Sequence, residues 1–193
     1  MITKNRTQAF PETDRFFVLT GGPGSGKTAL IEVLRQSGYY CTVEAGRGVI
    51  QEQMLIGGHA LPWADRSLFA DLMLSWEMRS YRMAQPQSES VFFDRGVIDV
   101  LEYLSLLGQA IPEYMQKAAE KFRYNRRVFI APPWEEIFHQ DGERKQDFEE
   151  AVRTYDAMVT TYNQYGYELL ELPRVSVRER LDFVLQEVGE SRG

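Results

Sequence analysis

The amino-acid sequence predicts a three-layer α/β domain with five parallel strands. Short strands alternate with helical stretches along the whole chain. Most of the strands are nearly continuously apolar, as expected for strands that are buried on both faces. Several helical stretches end at a glycine, the residue most often found just past a helix C-terminus. Alternating β and α elements form a parallel sheet with helices on both faces.

The predicted elements follow from these apolar runs and from turn residues. The predicted strands are 15–20, 39–44, 90–94, 127–131 and 167–172. The predicted helices include 27–37, 64–85, 97–107 and 148–165, a helix opened by Pro112, and a last helix that follows Ser176. Proline favours the first turn of a helix, and Asp147 and Ser176, each followed three residues later by glutamate, resemble capping boxes.

Length, composition and charge favour a single cytoplasmic domain. The 193 residues can bury one substantial core, and we expect residues 1–14 to be a flexible lead-in to one domain over 15–190. The net charge of −6 argues against a nucleic acid partner. Cys41 is the only cysteine, which fits a reducing compartment. We find no apolar run long enough to span a membrane and no secretory signal, so we expect no membrane partner.

A phosphate-binding loop follows the first predicted strand. The pattern G-x-x-x-x-G-K-[ST] lies between that strand and a helix, which is its proper context. The glycines allow positive φ and a close approach to phosphates, Lys27 supplies a charge to the β- and γ-phosphates, and the Thr28 hydroxyl binds Mg²⁺. The predicted ATP-binding residues are Gly21, Gly22, Pro23, Gly24, Ser25, Gly26, Lys27 and Thr28.

The third strand ends in a carboxylate followed by an arginine. Asp94 is typical of the aspartate that holds Mg²⁺ in a Walker B segment, although an aspartate here could also cap the next helix. Motor-type ATPases usually have glutamate at the next position, whereas this chain has Arg95. An Asp-Arg pair resembles small P-loop kinases, in which the arginine holds substrate or phosphate. The alternative is that Arg95 forms an ion pair that only supports the site.

Two further segments contain candidate catalytic residues. Glu44, after the second strand, is a candidate base for an acceptor hydroxyl, unless it is an ordinary charged loop residue. Arg47, one helical turn further on, could bind substrate or pair with Glu44. The polar stretch at about 139–147 is predicted to be a lid that closes over the phosphates, although it could be a solvated turn. Arg144 is the candidate to reach the transferred group, with Arg153 as second choice.

At this point the chain resembles a known family. The segments VLTGGPGSGKTALIEVL, VEAGRGVI, FFDRGVIDVLEY, PPWEEIF with DGERKQDFEEA, and LLELPRVSVRERLDFVL are similar to the small ATP-binding "AAA domain" proteins. These resemble the nicotinamide riboside kinase domain and, more distantly, thymidylate and deoxynucleoside kinases. The resemblance implies Mg·ATP binding, the strand order 2-3-1-4-5 and phosphoryl transfer. It makes Lys27, Glu44, Arg95 and Arg144 catalytic candidates and Glu44, Arg47 and Arg95 substrate-binding candidates.

The function that these residues predict is an ATP- and Mg²⁺-dependent kinase for a nucleoside- or nucleotide-like hydroxyl. The alternative is a regulatory ATPase that is switched by nucleotide and binds a protein partner. A GTPase is less consistent with the sequence, because no N-K-x-D guanine motif is present. The sequence leaves the acceptor and the oligomeric state open.

Overall fold

A computed structural model describes residues 13–138 and 147–189. The strands of its sheet are β1 Phe16–Gly21, β2 Tyr40–Cys41, β3 Val91–Asp94, β4 Arg127–Ala131 and β5 Glu168–Glu171. All neighbouring strands are parallel, and their order is β2-β3-β1-β4-β5. The five-stranded parallel sheet and the strand order 2-3-1-4-5 expected from the sequence are therefore confirmed.

Seven α-helices surround this sheet in the described part of the chain. They are α1 Lys27–Gln36, α2 Ala45–Ile56, α3 Arg66–Ala84, α4 Val97–Leu106, α5 Glu113–Lys121, α6 Phe148–Gln164 and α7 Val177–Val188. The four helices predicted with both ends agree with the structure to within two residues at each end. Over the described residues, no helix combines the length and the apolar character needed to cross a membrane.

Strand β1 shows why the domain has three layers. Phe16 and Val18 point to one face of the sheet, where they join a core formed with helices α2 to α6. Phe17 and Leu19 point to the other face, where they pack with α1 and α7. All four side chains are at most 3% exposed. Burial of each such side chain stabilises the fold by about 1.5–3 kcal/mol, so both layers of helices are held firmly to the sheet.

Side-chain caps fix the start of the last two helices, as the sequence predicted. The Asp147 carboxylate accepts a hydrogen bond from the backbone N–H of Glu150 at 2.7 Å. Ser176 Oγ accepts from Glu179 N at 3.4 Å, and the Glu179 carboxylate accepts from Ser176 N at 3.0 Å. Such caps satisfy N–H groups that have no partner within the helix. Asp147 thereby sets where α6 begins, directly after the predicted lid segment.

The segment after β2 differs from the sequence prediction. The predicted strand reached residue 44, but β2 ends at Cys41 and Glu44 is the N-cap of α2. Gly46 and Gly48 disfavour a helix by propensity, so the sequence did not reveal α2. Gly48 is needed there because a Cβ at this position would lie 2.6 Å from the Trp76 ring. Close packing on α3 therefore outweighs the poor propensity of this segment.

The register of the sheet brings the ends of three strands together. Leu19 of β1 is paired with Asp94 at the end of β3, and Gly21 is paired with Ala131 at the end of β4. In parallel sheets ligands bind at the carboxyl ends of the strands. The loop after β1 and the residues around Asp94 consequently lie side by side.

Candidate functional site

The glycine loop connects β1 to α1 with the backbone that the motif requires. Gly21, Gly24 and Gly26 have φ of 136°, 71° and 81°, which confirms the positive φ predicted for them. Gly26 is the N-cap of α1 and, as a glycine, has no side chain with which to cap this helix. The first N–H groups of α1 therefore remain available to an anion, and the helix dipole favours negative charge at this end.

Lys27 is the first residue of α1 and its ammonium group lies against the loop. Nζ donates hydrogen bonds to the backbone oxygens of Gly21 at 2.6 Å and Gly22 at 2.9 Å, and lies 3.3 Å from Ser25 Oγ. Ser25 Oγ in turn donates to the Gly22 oxygen at 2.7 Å. The side chain is buried, so its charge is weakly screened and would act strongly on an anion placed in the loop.

A cavity of about 320 Å³ opens over the loop. We call it the loop cavity. It is lined by residues 23–29 together with Glu44, Arg47 and Ile137. The structure thus brings most of the predicted phosphate-binding residues, including Lys27 and Thr28, to one cavity with two of the predicted substrate-binding residues.

Asp94 has the properties expected of a magnesium-binding carboxylate. It is buried, and its Oδ1 has no hydrogen-bond partner among the described residues. Burial, reinforced by the negative charge of Glu44 and opposed by Lys27, raises the pKa of Asp94 to about 6. An uncompensated buried carboxylate of this kind is stabilised by a cation.

The residues around Asp94 fit a magnesium ion that also binds a nucleotide. Hydroxyl and carboxylate oxygens such as those of Thr28 and Asp94 are the ligands that Mg²⁺ prefers. Within the described ranges, no group of three or more His, Cys, Asp or Glu side chains could hold a metal by itself. The remaining ligands would therefore be phosphate oxygens and water, as is usual where Mg²⁺ accompanies a nucleotide.

Arg95 joins the loop to two carboxylates. Its Nε lies 3.2 Å from Glu44 Oε1, its Nη1 lies 3.2 Å from Asp99 Oδ1, and its Nη2 donates to the Gly21 backbone oxygen at 3.1 Å. The residue has φ of 70°, the one positive φ of a non-glycine residue in the described chain. Such a conformation costs on the order of 1 kcal/mol and is retained where the surroundings fix it. Arg95 therefore forms the ion pair with carboxylates that the sequence left open as the alternative to a substrate-binding role.

Glu44 lies between the loop cavity and a second cavity. Its carboxylate pairs with Arg95, and Arg47 Nε lies 3.9 Å from its Oε2. The Glu44 side chain is 10% exposed, and that of Arg47 is 38% exposed. The second cavity has a volume of about 310 Å³, lies between helices α2, α3 and α4, and also contacts Pro23 of the loop. We call it the helix cavity.

The helix cavity has an apolar wall and a charged end. The apolar and aromatic side chains that line it include Ile50, Pro62, Trp63, Phe69, Met73, Val100, Tyr103 and Leu106. The charged side chains that line it are Glu44, Glu77, Arg95, Asp99 and Glu102. A small number of polar groups in a mostly apolar pocket is typical of small-molecule sites. The sequence interpretation did not identify Glu77, Asp99 or Glu102.

Asp99 fixes the orientation of Arg95. Its carboxylate accepts hydrogen bonds from the Tyr162 hydroxyl at 2.6 Å, from Gly96 N at 2.8 Å and from the Thr20 hydroxyl. These three hydrogen bonds and the ion pair with Arg95 hold the Asp99 carboxylate in place at the start of α4. The sequence signal was an acid four residues after Arg95 at the start of a predicted helix, a spacing that allows an ion pair.

Arg180 contacts the glycine loop from α7, which packs on the opposite face of the sheet from helices α2 to α6. Its Nη1 donates to the Ser25 backbone oxygen at 3.0 Å, its Nε donates to the Pro173 oxygen at 2.9 Å, and its guanidinium lies 4.9 Å from the centroid of the Trp134 ring. The residue is 2% exposed, and its Nη2 has no partner in the described chain. Nothing in the sequence relates Arg180 to a loop 155 positions away.

The predicted lid cannot be placed against this site. Residues 139–146, and with them Arg144, lie outside the described residues. Of the predicted lid, Asp147 is described, as the N-cap of α6. Arg153 lies on α6 with a 61% exposed side chain, 4.0 Å from Glu149. The role predicted for Arg144 stays a prediction.

The sheet order and the glycine loop between β1 and α1 define a P-loop nucleotide-binding domain of the kinase-like type. Residues 16–180 match the family described as "AAA domain", and the chain belongs to this family. No curated protein matches the sequence at a significant level.

Two solved structures illustrate the similarity in fold. Deoxyadenosine kinase from M. mycoides, with the products dCMP and a flexible dCDP bound, superposes with a TM-score of 0.64 at 13% identity, over 90% of this chain and 98% of the kinase. NadR protein in complex with NR gives 0.67 at 16% identity, over 94% of this chain and 53% of NadR. This chain therefore spans about half the length of NadR. At these identities the similarity shows the fold alone.

Proposed function

We propose that this protein is an ATP- and Mg²⁺-dependent phosphotransferase that transfers the γ-phosphoryl group of ATP to a hydroxyl of a small, nucleoside-like molecule. The single observation that carries this proposal is the position of Glu44. It lines both the loop cavity and the helix cavity, so that a phosphate in the first and a hydroxyl in the second would meet beside its carboxylate.

The groups around Glu44 suit phosphoryl transfer. The reaction has a loose transition state, so positioning and charge stabilisation contribute most of the catalysis. The backbone N–H groups of the loop and Lys27 would hold the phosphates, and magnesium, when bound at Thr28 and Asp94, would neutralise the charge on the β- and γ-oxygens. Glu44 would orient the acceptor hydroxyl and accept its proton. Arg95 would hold Glu44 in place.

Arg47 has a different position from Arg95. It lines the loop cavity, and its guanidinium is more exposed. It is therefore the better placed of the two predicted substrate-binding arginines to contact a phosphate. The similarity to deoxyadenosine kinase and to NadR bound to NR supports nucleoside-like acceptors at the level of fold.

The test is ADP release from Mg·ATP in the presence of nucleosides, nucleotides and nicotinamide riboside, with Lys27→Ala as the blank. We expect at least one compound to stimulate ADP release and to gain the mass of one phosphoryl group. A panel without any phosphorylated product, together with tight ATP binding and slow hydrolysis, would contradict the proposal.

That negative result would favour a second function, a regulatory ATPase switched by nucleotide. One observation is consistent with it. Leu55 and Ile56, at the end of α2, are 85% and 71% exposed, and Trp63 in the following loop is 59% exposed. Exposed apolar residues of this size are typical of surfaces that bind other proteins. Affinity of a protein partner that differs between the ATP-bound and ADP-bound states would support this second function.

A further inference from the structure

Three buried polar atoms, each on a residue that lines the helix cavity, have no hydrogen-bond partner in the described chain. They are Oε2 of Glu77 on α3 and Oε1 of Glu102 and the hydroxyl of Tyr103 on α4. Glu77 is 2% exposed and Glu102 is 3% exposed. A buried polar atom without a partner destabilises the fold, because it has lost its hydrogen bonds to water and gained none in return. This cost is recovered when a bound molecule supplies the missing hydrogen bonds.

The unpartnered atoms are concentrated at the site. Two other buried side-chain atoms in the described residues lack partners, and these belong to Asp94 and Arg180, which adjoin the glycine loop. Elsewhere in the described core, buried polar groups such as the Tyr81 hydroxyl, which donates to the Arg123 backbone oxygen at 2.9 Å, have partners within the fold. Two of the three unpartnered carboxyl oxygens in the described residues, those of Glu77 and Glu102, thus belong to residues that line the helix cavity.

The electrostatics of the helix cavity are acidic. Four carboxyl groups line it, those of Glu44, Glu77, Asp99 and Glu102. Among its described lining residues Arg95 is the one cation, and it is already paired with Glu44 and Asp99. A phosphate group placed here would meet carboxyl groups without a free positive charge. A cation or a group rich in N–H donors would satisfy the unpartnered oxygens.

The protonation of the two free carboxyl groups agrees with this view. Burial, reinforced by the charge of Asp99, raises the pKa of Glu77 well above its ordinary value. Burial, opposed by Arg95, raises the pKa of Glu102 to about 8. Burial therefore favours the neutral acid form of both groups at neutral pH, and a cationic ligand beside them would favour their ionised form, with release of a proton.

We propose that the acceptor is an unphosphorylated aromatic alcohol bearing a cationic or N–H-rich group, which Glu77 and Glu102 bind while the ring packs on the apolar wall of the helix cavity. Acceptors that already carry a phosphate or a carboxylate are rejected. This inference rests on the proposed function for the position of the acceptor hydroxyl, near Glu44. It narrows that function by excluding nucleoside monophosphates, which the sequence left open.

The test uses four probes on one scaffold: uridine, 5-(aminomethyl)uridine, 5-carboxymethyluridine and uridine 3′-monophosphate. Each keeps a free 5′-hydroxyl, so the probes differ in the charge that they bring. Their binding is measured by calorimetry with Mg²⁺ and a non-hydrolysable ATP analogue present. We expect the aminomethyl compound to bind at least about tenfold more tightly than either anionic probe, with uridine between them.

The double variant Glu77→Gln/Glu102→Gln keeps the size of both side chains but removes their ability to ionise. We expect the preference for the aminomethyl compound over the anionic probes to fall to about threefold or less. Glu113→Gln is the matched control, because the Glu113 side chain is 80% exposed on α5. It should leave the preference unchanged.

Several results would overturn the inference: equal or tighter binding of an anionic probe, no binding of any probe, or a preference that survives in the double variant. These results are distinguishable from a failure of the proposed function. A charge preference without phosphorylated product would contradict the kinase and leave the binding inference intact. Phosphorylation of an anionic probe would support the kinase and overturn this inference.

Discussion

The two cavities that meet at Glu44 are built in opposite ways. The loop cavity is formed mainly by one continuous segment, residues 23–29, and its ammonium group is bound by oxygens of the same loop. The helix cavity is formed by side chains from several separate elements, and it contains carboxyl oxygens that nothing in the described fold satisfies.

This difference gives the two cavities different functions: the loop cavity suits phosphates in general, whereas the helix cavity selects the second molecule. A backbone cradle with one lysine recognises phosphates, whatever the rest of the molecule is. Side chains on α2, α3 and α4 can change without disturbing that cradle, so they determine which second molecule enters. We therefore expect substitutions in the loop cavity to abolish turnover with any acceptor, and substitutions in the helix cavity to change the acceptor.

The largest effect should come from Lys27→Ala. Removal of the ammonium group leaves the phosphate charge uncompensated in a buried site, so we expect ADP release to fall by about a thousandfold or more. Lys117→Ala is the matched control, because Lys117 lies on α5 with a 62% exposed side chain. Circular dichroism should show both variants folded. Unchanged turnover in Lys27→Ala would contradict the assignment of the loop.

A smaller but still large effect is expected for Glu44→Gln, which tests the boundary between the cavities. The amide keeps the shape of the side chain but cannot accept the hydroxyl proton, so transfer should slow by about 10²–10⁴-fold. ATP affinity, measured by calorimetry, should stay within about threefold. If ATP affinity fell together with transfer, Glu44 would belong to the metal or phosphate site.

An intermediate effect is expected for Arg180→Lys, which weakens the support of the loop. Lysine cannot donate to the oxygens of Ser25 and Pro173 simultaneously as the planar guanidinium does. We expect the KM for ATP to rise by about five- to tenfold, with little change in the KM for the acceptor. A change confined to the acceptor would show that Arg180 acts on the helix cavity instead.

The smallest effect is a pH dependence of stability that originates in the helix cavity. The pKa of Glu102 is about 8 in the folded protein, against 4.5 for an ordinary glutamate. The folded protein therefore binds the proton more tightly, and the resulting stability is complete below the ordinary pKa and is lost as the pH rises through about 8.

Glu102→Gln tests this sign directly. Relative to the variant, the wild-type protein should lose on the order of 1–3 kcal/mol of unfolding free energy between about pH 5 and about pH 8. Urea unfolding at the two pH values measures the difference, and Glu113→Gln should show none. A wild-type protein that gained stability over this range, relative to Glu102→Gln, would mean that Glu102 is already paired as an anion.

The same contrast explains how much the sequence could predict. The phosphate loop was predictable because its residues are contiguous and its strand and helix flank it directly. Asp94 and Arg95 were predictable because Asp94 ends a buried strand and Arg95 follows it directly. Helix α2 was missed because Gly46 and Gly48 suggest a loop, and its formation depends on the contact of Gly48 with α3.

The helix cavity could not be predicted because it exists only after the helices pack. Glu77 lies within a long amphipathic helix, where a charged residue ordinarily faces solvent, yet it is 2% exposed. Arg180 acts on a loop far away in the sequence. Its position follows from the order of the strands and helices, and no local pattern contains that information.

The central claim is that the two cavities act together, so that the γ-phosphoryl group passes to a small molecule rather than to water. The most direct measurement is a single-turnover reaction with γ-labelled Mg·ATP and a pool of unphosphorylated nucleosides, in which the label is followed by mass. We predict that the label is found in an organic phosphate, and that Glu44→Gln forms this product about 10²–10⁴-fold more slowly while still binding ATP. Label found only in inorganic phosphate, at a rate that does not depend on the nucleosides, would contradict the claim.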